Sequence, residues 1–492
     1  MSSEIKIGWS EVDITPNRKI GLAGQFFERI TDVVESPLTI TGFALETDDD
    51  QMIICSCDII SITHQLNEIV KDRLSGKLPI SVDKVIINSI HCHTSYVYTR
   101  KDRLQGDCVK IFRRYSSYTE TNEDTHKLEM MDPDEALEFL AEKIEEAALL
   151  AWENRKEAYY ANAFGRAVVG HCRRVVYNDG SAKMWGETNN KNFARLESGN
   201  DSGIELMFTF DKDKKLSGVI ANIACPAQVV EHRNFISSDY WGKVKQYLRE
   251  KYGESLKVLG LCSAAGDQAP RDLIRFVSGE TSTNDPNIEH KFDVERRADP
   301  SMFDISGLKL VGKRIANEIS LIYEEGNYEI LNEGLLIHEK VILDIPVRRV
   351  SNKEYEYSDN FLKKFFANYG DKEITFEETA KLYLYAGTIE RYEIQDKIRS
   401  LAEEIHIVRF NDVAFATNPY ELFIDYGNII RSRSKAKQTF LIQLACASDG
   451  YLPTEIAEKG GHYSAYITGG TTGHEGGNYL VEETIKHINK MF

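Results

Sequence analysis

Apolar, β-branched runs recur along the chain, and most of them end in a short polar cluster with helical spacing further on. Residues 38–45, 52–60 and 85–90 predict strands, and 61–74 predicts a helix between the second and third. A long helix is expected over 133–152, with Asp132 as its N-cap and Pro133 at its first position. Strands are expected at 216–225 and 256–261 around a helix at 240–252. The last part predicts strands at 413–417 and 439–446 and helices at 420–432 and 479–491. This alternation indicates an α/β protein with substantial sheet, read as one domain over 1–492. Charged and aromatic residues at helical spacing over 352–404 predict a helical insertion. The polar stretches 100–127 and 276–304 predict long loops, of the kind that serve as lids or binding loops.

Composition narrows the picture modestly. The 492 residues carry a net charge of -17, which argues against a basic nucleic-acid-binding face. The start, Met1-Ser2-Ser3-Glu4-Ile5-Lys6, has no basic segment leading into an apolar one, so no export signal is visible. No apolar run is long enough to cross a bilayer. The eight cysteines are scattered, several within strand-like runs, which suits reduced thiols and a cytoplasmic location. Oligomeric state has no signal in the sequence.

In open α/β sheets functional groups gather beyond the carboxyl ends of strands. Five clusters fit that rule: His91-Cys92-His93; Cys225-Pro226-Ala227-Gln228 with Glu231-His232 beyond it; Gly266-Asp267-Gln268-Ala269-Pro270-Arg271; Asn418-Pro419-Tyr420-Glu421; and Ser448-Asp449-Gly450-Tyr451. On extended backbone His91 and His93 point to one side, as two metal ligands or a ligand and its helper do. Each cluster also has an ordinary structural reading. Cys225 suits a small buried hydrophobe, Glu421 a favourable charge where a helix begins, Gly266-Asp267 a turn, and Tyr451 core packing.

The ordered set of markers resembles the catalytic domain of the neutral (non-lysosomal) ceramidases and their bacterial relatives. It opens with Gly8-Trp9-Ser10-Glu11-Val12-Asp13-Ile14-Thr15-Pro16 and continues through His91-Cys92-His93-Thr94-Ser95, the Gly-Asp-x-x-Pro turn at 266–270 and Pro419-Tyr420-Glu421. It closes with Gly450-Tyr451-Leu452-Pro453-Thr454 and Gly460-Gly461-His462-Tyr463. The resemblance implies a layered αββα fold and a Zn2+ hydrolase. Carried over by position, His91, Glu421 and Tyr451 are metal ligands, and His93 and Arg173 face the substrate or its developing oxyanion. Asp267 is counted with these catalytic groups as one that orients its neighbours. The family has His-Pro where this chain has Cys225-Pro226. Cys225 could bind zinc as the thiolate, or His232 could swing in and leave Cys225 structural. Arg174, Gln228, His232, Arg271, His462 and Tyr463 are expected to contact substrate.

Two further departures bear on substrate. Ala269 replaces the serine of the family's Gly-Asp-x-Ser-Pro turn, and the sequence stops before the family's C-terminal immunoglobulin-like domain. The expectation is therefore a cytoplasmic amidase for a small polar N-acyl compound, without membrane insertion. Ester or glycoside hydrolysis on a carbohydrate is the alternative, and a non-catalytic ligand-binding relative is another. A serine nucleophile at Ser263 has little support, because Cys262-Ser263-Ala264-Ala265-Gly266 lacks the Gly-x-Ser-x-Gly elbow.

Overall fold

A computed structural model describes residues 3–25, 27–99, 108–115, 130–274, 276–277, 297–298, 304–369 and 376–492. Of the two expected polar loops, 100–127 is described only over 108–115, where Cys108–Phe112 is a short helix and not loop, and 276–304 only at 276–277, 297–298 and 304. Three sheets make up the centre. One has the order Val85–Ser89, Gln51–Cys57, Thr39–Glu46, Lys6–Asp13 and Lys156–Glu157. A second runs Lys257–Cys262, Leu216–Ile223, Gly203–Phe210 and Tyr159–Arg166, and a third Leu336–Pro346, Ser400–Phe410, Val413–Thr417 and Gln438–Ile442. Each sheet is mixed, with one parallel pair at one edge and antiparallel pairs elsewhere.

The inner strands of the sheets are buried on both faces, with alternate side chains divided between two cores, while edge strands such as Leu336–Pro346 and Tyr159–Arg166 leave some side chains exposed. Phe43, Leu45 and Ile54 of the first sheet meet Met207, Ile220 and Leu259 of the second and Val408, Phe410, Phe415 and Phe440 of the third in one sheet-to-sheet core. The opposite faces pack on helices. Ile40, Ile53 and Cys55 share a core with Leu66, Val70, Leu140 and Ile144, which belong to the helices His64–Leu74 and Pro133–Glu153. Val219 and Ala221 share it with Trp241 and Val244 of Asp239–Tyr252. Ile405, Ile407 and Ala416 meet Ile430, Leu480 and Ile485 of Ile424–Arg433 and His474–Met491. Sheets thus lie inside and helices outside, a mixed α/β architecture. Asp132 caps the long helix as expected, accepting from the Asp134 amide at 2.9 Å.

Three sequence expectations are corrected. The strand expected over 439–446 ends at Ile442, because Leu444 and Cys446 turn to φ 52° and 61°, a left-handed conformation no strand tolerates. The helix expected from residue 420 starts at Ile424, since Glu421–Leu422 pairs in parallel with Tyr451–Leu452. The stretch 352–404 holds two helices, Asn352–Tyr369 and Phe376–Ile394, but its end belongs to the strand Ser400–Phe410. The strands Lys6–Asp13, Tyr159–Arg166, Gly203–Phe210 and Leu336–Pro346 were not anticipated.

Backbone hydrogen bonds lace the segments leaving the strand ends together. The His93 amide donates to Ala227 O at 3.0 Å, the Ala227 amide to Ile90 O at 3.2 Å, and the Gly266 amide to Leu422 O at 2.8 Å. These bonds join four distant stretches in two pairs, and Ser263 N donating to Ile223 O at 2.9 Å links the pairs.

Candidate active site

His91 follows the strand Val85–Ser89 but is not extended: its φ is 58°, uncommon for a residue with a side chain and costing about 1–3 kcal/mol. Neighbouring amides hold it there, Ile90 N donating to Cys57 O at 3.1 Å and Cys92 N to Ile59 O at 2.9 Å. The two histidines therefore meet through a turn and not through strand alternation, with ring centroids 4.8 Å apart at 89°. His91 Nδ1 lies 2.7 Å from the Ile60 carbonyl, which only accepts, so Nδ1 carries the proton. In the neutral ring Nε2 then presents a lone pair, and it faces Glu421 Oε2 at 3.2 Å. A lone pair against a buried carboxylate oxygen calls for a proton or a cation between or beside them.

Glu421 reaches this point from the two-residue strand Glu421–Leu422, whose parallel register puts it opposite Tyr451. The Glu421 amide donates to Gly450 O at 2.9 Å, and Gly266 packs so closely that a Cβ there would stand 2.2 Å from Glu421 O. Arg173 sits between the two site residues. One of its terminal nitrogens is 3.4 Å from Tyr451 Oη, 4.0 Å from Glu421 Oε2 and 3.0 Å from Gly266 O; the other reaches Gln228 Oε1 at 3.4 Å. Burial works against the guanidinium charge, but Tyr451, Tyr463 and Glu421 around it keep Arg173 protonated. Burial pushes the Tyr451 phenol well up, Glu421 adds to that, and Arg173 opposes it.

His93 packs against Gly24, whose φ of +90° and missing side chain leave room for the ring; a Cβ would lie 2.7 Å from His93 Nδ1. Burial, and after it His91 and Arg173, drive the His93 pKa well below its ordinary value, so the ring is neutral at neutral pH. Its Nδ1 is 3.3 Å from Glu231 Oε2. Both ring nitrogens and Glu421 Oε2 are buried with no hydrogen bond to any described residue. Unsatisfied polar atoms gathered at one place suit a bound group. Glu231 itself is pushed up to about 7 by burial, with Arg173 pulling the other way and Asp239 adding to the rise. The sequence reading named Glu231 as part of a cluster but gave it no role. Its signal was a lone acid directly after Val229-Val230, beyond a buried strand.

The other expected residues separate into distinct settings. Cys225 is fully buried, with Sγ 3.5 Å from the Pro226 carbonyl, and its thiol is held well above its usual pKa by burial, Cys262 and Asp239. The ligand atoms of His91, Cys225 and Glu421 do not all fall within 4.8 Å of one another. A cysteine side chain stops short of where an imidazole on the same Cα would reach. His232 is exposed. Asp267 is buried; Oδ1 accepts from the Ile424 amide at 2.9 Å and Oδ2 from the Ser198 hydroxyl. It therefore ties the Gly266 turn to the segment carrying Glu421. Arg174 spends its donors inside the protein, on Glu197 at 2.6 and 3.0 Å, Ser464 at 2.9 Å and the Ala457 and Gly461 carbonyls. Gln228 meets Arg173 as described, and Arg271 is half-buried at the end of the same turn. His462 accepts from the Met184 amide at 3.1 Å, and burial with Arg174 and Lys183 lowers it to about 4. Tyr463 places its ring 6.0 Å from that of Tyr451. His91, His93, Arg173, Gln228, Glu421, Tyr451 and Tyr463 thus gather in one place, with Glu231 added.

No protein-family model matches the chain, and no curated protein matches it by sequence. Solved structures do match by shape. Against a crystal structure of neutral ceramidase from Pseudomonas aeruginosa the TM-score is 0.66 at 16% identity, covering 99% of this chain and 74% of that one. A structure described as ceramidase complexed with C2 gives 0.66 at 13% identity, covering 99% and 75%. The fold is therefore the mixed α/β fold of neutral ceramidase structures. Among the described residues, no helix is long and apolar enough to cross a membrane.

Proposed function

We propose that the protein is a zinc-dependent hydrolase that cleaves an amide bond in a small polar N-acyl substrate, at the site built around His91, Glu421 and Tyr451. The observation that carries this reading is His91 Nε2 lying 3.2 Å from Glu421 Oε2 while Nδ1 is anchored on Ile60 O. Donors about 2 Å from one tetrahedral zinc stand about 3.3 Å apart, so this pair fits a shared cation. The likeness to ceramidase structures supports an amide as the bond cleaved. We place His91, Glu421 and Tyr451 as the holding residues and leave Cys225 out, because its sulfur falls short of the His91–Glu421 pair. A bound zinc would acidify water and polarise the substrate carbonyl.

The chain's own groups supply the rest. Arg173 keeps a positive charge beside Tyr451 and Glu421, directed at the oxygen where negative charge develops. Neutral His93 offers both ring nitrogens to a bound substrate, and Glu231 beside its Nδ1 holds or releases a proton near neutral pH. Gln228 steadies Arg173. Asp267 and the Gly266 turn keep the Glu421 backbone in register with Tyr451.

The test is metal content by elemental mass spectrometry together with hydrolysis of a panel of chromogenic N-acyl amides, esters and glycosides. His91→Ala and Glu421→Gln should each lose one zinc equivalent and at least ~100-fold in kcat/KM, while Cys225→Ala keeps the zinc. A wild-type protein whose zinc content is unaffected by His91→Ala would overturn the site. Turnover of esters or glycosides with none of amides would move the substrate class to carbohydrate derivatives.

A further inference from the structure

Two tight groups of possible ligand atoms lie apart from this set, each with its donors within 4.8 Å of one another: Glu404, His406 and Cys446, and His64, Glu403 and Asp449. The first is already knitted together. His406 Nε2 bonds Glu404 Oε1 at 2.8 Å, its Nδ1 meets His338 Nε2 at 2.8 Å, and Lys71 pairs with Glu404. A cation there would have to displace a lysine.

The second group leaves a buried carboxylate oxygen unmet by any described residue. His64 Nε2 stands 2.9 Å from Asp449 Oδ2 and 3.6 Å from Glu403 Oε2, with both carboxylate side chains fully buried and the imidazole 26% exposed. Asp449 Oδ1 is buried and receives no hydrogen bond from any described residue. An unmet carboxylate oxygen at that depth is costly, and a bound cation removes the cost. We propose that His64, Glu403 and Asp449 form a second cation site, separate from the His91–Glu421 centre, that takes a divalent ion of the first transition row such as Mn2+ or Zn2+. One imidazole with two carboxylates is a nitrogen–oxygen set without sulfur, suited to Mn2+, Fe2+ or Zn2+ more than to the all-oxygen preference of Ca2+. The half-open imidazole provides the entry side.

The site joins three remote segments: the first residue of the helix His64–Leu74, the strand Ser400–Phe410 and the loop after Gln438–Ile442. Its consequence for the neighbouring centre lies in the backbone. Asp449 N donates to Pro419 O at 3.1 Å, and Gly450 O accepts from Glu421 N at 2.9 Å. A cation on Asp449 therefore clamps the loop that delivers both Glu421 and Tyr451. Binding at this site does not depend on the hydrolase reading.

The experiment loads chelator-stripped full-length protein with Mn2+ or with Zn2+, measures stoichiometry, and maps anomalous scattering in crystals of the wild type. An anomalous peak among His64, Glu403 and Asp449 is expected. One metal equivalent should be lost in His64→Ala and in Asp449→Asn, while the equivalent that depends on His91 is kept. No peak there at saturating Mn2+ and Zn2+ overturns the proposal, as does a stoichiometry that folded His64→Ala leaves unchanged. The wild-type map decides the matter if the variants do not fold. Failure of the hydrolase reading shows separately, as absence of the His91-dependent equivalent alone.

Discussion

Glu231 is the residue whose protonation most affects how this centre behaves. Burial raises its pKa from the ordinary 4.5 to about 7, against the pull of Arg173. Between those values the folded protein holds a proton that the unfolded chain has released, so unfolding releases protons and stability falls as pH rises from about 4.5 to about 7. The contribution is on the order of 3 kcal/mol across that window. Asp239, raised to about 6 by burial against the Val230 and Tyr240 amides, acts in the same direction at slightly lower pH. Urea unfolding of metal-free protein at a series of pH values should show Glu231→Gln with a flatter profile than wild type over pH 5–7. An unchanged slope would mean that Glu231 is ionised throughout. The residue scale also explains what the sequence could not reveal about Cys225. Its position after a strand was legible, but the reach of its Sγ relative to His91 and Glu421 depends on backbone placement over distances no spacing rule encodes.

The element scale turns on short pieces. A two-residue strand carries Glu421 opposite Tyr451 and has no period to detect, so the sequence pattern ran the following helix through it. The Gly266-Asp267 turn then does what a longer element would do, with Gly266 N on Leu422 O and Asp267 Oδ1 on Ile424 N. Asp267→Ala removes a buried acceptor and leaves the Ile424 amide unsatisfied, at a cost of about 1–3 kcal/mol. Because it acts through the position of Glu421, zinc affinity should also fall by about 10–100-fold, while the ligand side chains themselves are intact. Isothermal titration of zinc into Asp267→Ala and Asp267→Asn checks this, with affinity expected to recover in part in the asparagine variant, which keeps an acceptor oxygen. Equal affinity in Asp267→Ala and wild type would remove Asp267 from any positioning role. The long elements behaved differently. Pro133–Glu153 was readable because a capping Asp132, a leading Pro133 and a helical apolar stripe all agree. The first residues of the strand Ser400–Phe410, 400–404, fall within the stretch expected to be helical because Glu403 and Glu404 interrupt the apolar face; Lys71 pairs with Glu404 in the folded chain.

For the molecule as a whole, the site exists only where the three sheets and their loops converge. Ligands that bind the folded chain and not the unfolded one stabilise it by mass action, about 2.7 kcal/mol per site at a hundredfold excess over Kd. Thermal unfolding should therefore shift upward with added Zn2+, fall with chelator, and respond less in His91→Ala than in wild type. A midpoint that ignores both Zn2+ and chelator would mean that no metal binds the native fold. The sequence by itself determined the α/β class, about half of the central strands and the set of polar clusters at strand ends, because apolar periodicity, helix caps and chain order are local properties. Only the tertiary structure decided which of those clusters meet. It set His91 against Glu421, brought Glu231 to His93, spent Arg174 on Glu197 and left His232 at the surface. Those outcomes follow from side-chain reach, left-handed turns and burial between residues hundreds of positions apart, which local pattern does not carry.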